Sequence, residues 1–68
     1  MKQNISYEIV TYETAEEFND NGGVIEDTGI LKRSLAKEKA KRLFNKYKGK
    51  YYAVKWQSND REEIEIYR

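Results

Sequence analysis

Sixty-eight residues with a formal charge of +1 and no cysteine, histidine or proline leave room for one small core, near the size at which core burial only just offsets chain entropy. The missing cysteine and histidine exclude disulfide frameworks, the usual zinc, haem and iron–sulfur ligand sets, and thiol or imidazole catalysis. No apolar run approaches the roughly 18 residues of a membrane span and MKQNISYEIV lacks the apolar stretch of a signal peptide, so a cytoplasmic protein is expected.

Residues 6–12 alternate Tyr7, Ile9 and Thr11 with Glu8, Val10 and Tyr12, which predicts a first strand. Thr14-Ala-Glu-Glu17 then matches a helix capping box, in which the hydroxyl accepts from an amide three residues on and the glutamate reaches back. With Gly22 and Gly23 close behind, it supports only a turn or two of helix. Asn21-Gly22-Gly23 allows a tight reversal, and a second strand is predicted over residues 24–31, bulged at Gly29 and antiparallel to the first.

From Ser34 the spacing becomes helical, with Ala36, Ala40, Leu43, Phe44 and Tyr47 on one stripe and lysines around the rest. Ser34 is the expected N-cap and Gly49 the stop. Residues 51–57 alternate Tyr52, Val54 and Trp56 against Tyr51, Ala53 and Lys55, and residues 63–67 alternate Ile64 and Ile66 against acidic neighbours. Ser58-Asn59-Asp60-Arg61 joins them as a hairpin. The expected fold is a single α+β domain over residues 1–68, ββαββ, with an antiparallel sheet of about four strands and one amphipathic helix on one face.

The net charge conceals a segregation. Residues 3–31 hold seven acidic side chains and no basic one, residues 32–56 hold ten basic and one acidic, and the last twelve hold four acidic and two basic. Charge acts locally, within a Debye length of about 8–10 Å, so this asymmetry bears on partners more than the total does. Two surfaces are therefore candidates for binding. One is basic: Lys37, Lys39, Lys41, Arg42 and Lys46 on the helix, then Lys48, Lys50, Tyr51 and Lys55 in NKYKGKYYAVKW. The other is acidic: Glu13, Glu16, Glu17, Asp20, Glu26 and Asp27.

Lysines beside aromatics can neutralise phosphates and stack bases. The competing account makes Tyr47, Tyr52 and Trp56 core, because a chain short of aliphatic residues needs its aromatics inside. Lysine rather than arginine dominates the basic set, so nucleic-acid binding here would follow the backbone and weaken with salt. Lys48-Gly49-Lys50-Tyr51-Tyr52-Ala53-Val54 resembles the octapeptide of RNA-recognition motifs, but Lys50 stands where that family has an aromatic residue, and the element order differs.

Asp27-Thr28-Gly29 is the aspartic-protease triplet, yet Glu26 precedes it where an apolar residue belongs, so a bulge is the expected role. Residues 17–28 resemble a calcium loop at Asn19, Asn21, Gly22 and Val24, but Glu17 stands at its first position and Thr28 at its last. Neither motif predicts a cofactor or a metal, and no enzyme activity is expected.

In size, lysine and tyrosine richness, and lack of catalytic residues the chain resembles the small accessory proteins of phages and mobile elements, some of which inhibit host or defence enzymes. That resemblance is one of style and implies a regulatory module with a protein partner. Nucleic-acid binding through the basic helix and residues 46–56 is the alternative, and a homodimer would widen the thin stability margin.

Overall fold

In the computed structural model, which describes residues 5–60 and 63–68, the alternating stretch at the start becomes β1 (Tyr7–Tyr12), an inner strand of the sheet. After it come α1 (Ala15–Asn19), β2 (Val24–Ile30), α2 (Arg33–Lys46), β3 (Ala53–Ser58) and β4 (Glu63–Tyr67). The four strands form one antiparallel sheet in the order β2-β1-β3-β4. Arg61, the last residue of the predicted hairpin connection, lies outside the described residues.

Helix α2 crosses one face of the sheet. On this helix side Ala36 and Ala40 meet Ile9, Ile30, Val54 and Trp56, all buried, with Leu43, Phe44, Ile64 and Tyr67 packed around them. Alanine at the two innermost helix positions lets the helix approach the sheet closely, and the large Trp56 fills the space beneath it. Its indole N–H is not left unsatisfied, because it donates to Glu65 Oε1 at 3.3 Å.

The opposite face carries a second, smaller cluster: Val10, Tyr12 and Ala53 are buried with Phe18 and Ile66 against them. Phe18 comes from α1, so the short helix serves to place one ring over the side that α2 leaves open. The capping box that starts it is present, with the Glu17 amide donating to Thr14 Oγ1 at 3.1 Å. The Glu17 carboxylate reaches one residue past the expected target and accepts from the Glu13 amide, also at 3.1 Å.

Register irregularities decide which residues share a face. Val10 pairs with Ile25, Ile9 with Asp27 and Tyr7 with Ile30, so β2 carries extra residues at Glu26–Asp27 and again around Gly29, whose φ is +73°. Two consecutive carboxylates, Glu26 and Asp27, thereby both turn to the helix side. A similar shift in β4 brings Ile64 into the helix-side core while Ile66 joins the other cluster, correcting the expectation that the two isoleucines share a face.

Three further expectations are corrected. The α2 N-cap is Lys32, with no side-chain cap bond, and Ser34 sits inside the first turn. The chain turns into the helix as soon as Ile30 is buried, and Arg33, now helical, lies over the Trp56 ring at 5.6 Å. Tyr47 and Tyr52, assigned to the core, are 38% and 39% exposed. Strand β3 starts only at Ala53, so Tyr51 and Tyr52 fall outside its alternation, and it is Tyr51 that packs against the helix-side core.

Candidate binding surfaces

The basic residues in the middle of α2 are balanced by the protein's own carboxylates. Lys39 Nζ lies 3.0 Å from Asp27 Oδ2, a contact that the β2 bulge makes available. That hydrogen bond, with the Thr28 amide and the Lys39 charge, holds the Asp27 carboxyl below its ordinary value against the opposing effect of burial. Arg42 pairs with Glu38 one turn back at 2.9 Å. Lys37 and Lys41 face Glu65, whose Oε1 accepts from the Tyr67 hydroxyl at 2.8 Å as well as from Trp56. The Tyr67 bond contributes most to lowering the Glu65 pKa, burial opposes it, and the Trp56 bond and the two lysine charges add to the lowering.

Exposed ion pairs contribute little to stability, about 0–1 kcal/mol each, but they do neutralise local field. Of the basic candidates, Lys39 and Arg42 are therefore paired, and Lys37 and Lys41 act on Glu65 through charge alone. Lys46, Lys48 and Lys50 differ. All three are exposed where α2 ends, and none has an acidic partner among the described residues. Lys46 and Lys50 lie 5.5 Å from the Tyr47 ring and Lys50 lies 5.3 Å from Tyr51, while Tyr47 and Tyr51 meet edge to face at 5.9 Å.

Beside them runs a groove lined by Phe44, Lys48, Gly49, Tyr51, Tyr52 and Arg68. Arg68 belongs to this surface and was not among the sequence candidates, while Tyr47 and Tyr52, inside the 46–56 segment but assigned to the core, belong to it as well. Arg68 is distant in sequence, and only the antiparallel run of β4 back toward the end of α2 delivers it. Lys55 is not part of the cluster. It lies on the opposite sheet face over Tyr12 at 5.6 Å, near Glu8 and Gln57, whose side chains hydrogen-bond at 2.6 Å. Tyr51 and Lys55 thus sit on opposite sides, and the sheet presents no platform combining them.

The acidic candidates are also divided. Glu13, Glu16 and Asp20 are exposed around α1, where Glu17 is occupied by capping. Glu26 and Asp27 lie on β2, with Glu26 Oε2 accepting from the Thr11 hydroxyl at 3.2 Å. The Asp27-Thr28-Gly29 triplet forms the predicted bulge, in which Asp27 Oδ1 accepts the Thr28 amide at 2.9 Å. The calcium-like run is spent on the end of α1, a turn and the start of β2.

A third surface has no counterpart among the sequence candidates. Four of the large apolar residues left in solvent belong to β2 or its flank: Val24 and Ile25 at its start, 56% and 58% exposed, and Leu31 and Leu35 beyond its end, 74% and 42% exposed. Strand β2 is also an edge of the sheet, so its outer backbone groups face outward. The sequence signal for this surface was the apolar run 24–31 itself, which a buried strand would have explained equally well.

The fold is a small α+β sheet-and-helix arrangement, and no helix among the described residues is long and apolar enough to cross a membrane. The chain matches no protein-family model, no curated protein and no solved structure.

Proposed function

We propose that this protein is a small non-catalytic regulatory module that acts in the cytoplasm by docking on another protein, as accessory proteins of phages and mobile elements do on host or defence proteins. The observation that carries the reading is the β2 side. Val24 and Ile25, on opposite faces at the start of the edge strand, and Leu31 and Leu35 past its end leave apolar area in solvent, and exposed apolar surface next to an open strand edge favours contact with protein rather than with phosphate. The acidic residues nearby on the chain, Glu26 and the α1 carboxylates Glu13, Glu16 and Asp20, favour a partner that is basic around an apolar centre.

The test places a photo-crosslinking residue at Ile25 or at Leu35, with a control at Lys37 on the other flank of α2. A single partner should be captured from the two β2-side positions and lost when Ile25→Arg and Leu31→Arg are combined. Capture that survives the double substitution would remove this surface from the proposal. Capture of a second copy of the chain, matched by a doubled solution mass, would replace the foreign partner with a homodimer.

A further inference from the structure

We infer that the end of the molecule where α2 stops is a binding site for single-stranded nucleic acid, separate from the β2 side. Three features meet there. Four cations, Lys46, Lys48, Lys50 and Arg68, have no acidic partner among the described residues. Two rings, Tyr47 and Tyr52, are more than a third exposed. The groove beside Tyr52 is lined by Lys48, Arg68 and aromatic groups, with no acidic side chain.

Each feature selects the ligand. Cations without carboxylate partners can release the counterions condensed on a phosphate backbone without first breaking an internal pair. In the middle of α2, Lys39 and Arg42 lack that freedom because they are paired with Asp27 and Glu38, and the charge of Glu65 offsets Lys37 and Lys41. The unpaired cations that stand beside exposed rings are therefore confined to one end, a patch too small to track a duplex along a groove. The exposed Tyr52 ring offers a stacking face, and only an unpaired base can use it. Phe18 and Arg68 brace the site from behind, with the guanidinium 5.4 Å from the Phe18 ring and Phe18 5.8 Å from Tyr52. Lysine cations and aromatic faces give no bidentate reading of base edges, so the site takes single strands with little sequence preference.

The experiment is fluorescence anisotropy of the full chain against labelled oligo-dT and oligo-U, with duplex DNA and polyglutamate of matching length as the other arms. Four phosphate contacts to a single strand predict a loss of roughly 50-fold in affinity between about 50 and 200 mM salt. In the triple variant Lys46→Gln, Lys48→Gln, Lys50→Gln one cation of the four remains, and that loss should shrink to roughly threefold. Tyr52→Ser should weaken binding by roughly tenfold, with its salt dependence kept.

Lys37→Gln with Lys41→Gln should leave the affinity within about twofold, since Glu65 already faces both lysines. A helical circular-dichroism spectrum unchanged from wild type certifies each variant, and all these substitutions lie at exposed positions. Absence of binding at the lower salt would overturn the inference. Equal affinity for the duplex or for polyglutamate would do the same, because neither offers unpaired bases. Equal loss in the Lys37/Lys41 variant would overturn the placement of the site.

Discussion

Two glycines show how one residue type serves two unrelated physical needs. Gly23 has no room for a side chain: a Cβ there would stand 2.6 Å from the Tyr12 ring and 2.7 Å from the Thr11 carbonyl oxygen. That close approach lets the chain pass from α1 straight into β2, with Val24 opposite Thr11. At Gly29 nothing lies within 4 Å of a built Cβ, but φ is +73°. Gly23→Ala should therefore cost about 1–3 kcal/mol through overpacking against backbone that cannot swing aside, and Gly29→Ala about 1–2 kcal/mol through backbone conformation alone. Asparagine separates the causes. Urea unfolding should show Gly29→Asn recovering part of the alanine loss, because asparagine tolerates positive φ, and Gly23→Asn losing more than Gly23→Ala. The opposite order would mean that the two positions have been assigned the wrong constraint.

At the scale of the element, α2 begins poorly and ends well. Its N-cap is Lys32, without a side-chain bond to the free amides, and no acidic residue occupies its first turn. Lys32 and Arg33 instead place positive charge at the positive end of the helix dipole. Lys46 suits the other end. Replacing Lys32 by Asp should stabilise the protein by about 1 kcal/mol, supplying a cap and removing the unfavourable charge together. Ser34→Ala should change stability by no more than about 0.5 kcal/mol, because Ser34 is not the cap. Thermal unfolding of the two variants distinguishes this start from the one that sequence favoured: a cap at Ser34 would make Ser34→Ala the costly change, by about 1 kcal/mol.

For the whole molecule, the ionisable groups that bind elements together set its pH range. Glu65 links β4 to Trp56 in β3 and faces two lysines of α2, and Asp27 links β2 to Lys39 of α2. Both carboxyls are held below their ordinary values, near 4.5 and 3.8, by the hydrogen bonds from Tyr67 and from Lys39 respectively. The stability they add is complete above those ordinary values and is lost as pH falls through the lower folded values. Tyr67 runs the other way. Burial first, and then its bond to Glu65, raise its hydroxyl above the ordinary 10.0, so its contribution is present below pH 10 and disappears as pH rises through the raised value.

Denaturant midpoints measured from pH 3 to 11 should thus form a dome. Glu65→Gln should flatten its acid limb and Tyr67→Phe its alkaline limb. An acid limb unchanged in both Glu65→Gln and Asp27→Asn would show that other carboxylates set acid stability.

What the sequence determined by itself was local. Alternation placed the four strands, a 3.6-residue stripe placed α2, Thr14 and Glu17 started α1, and Asp27-Thr28-Gly29 marked the bulge. Each of these signals is complete within a few residues, because capping, positive φ and side-chain periodicity are properties of neighbouring backbone. Most of the candidate charges were legible for the same reason.

Only the tertiary structure decided which charges are free. A register shift in β2 carried Asp27 under Lys39, the pairing of Glu65 with Trp56 put its carboxylate on the helix side, and a one-residue shift turns a side chain to the other face of a sheet. The strand order then returned Arg68 to the end of α2 and left β2 at an edge with Val24 and Ile25 in solvent. Pairing partners lie far apart along the chain, and no local pattern records which strand lies beside which or where a register slips.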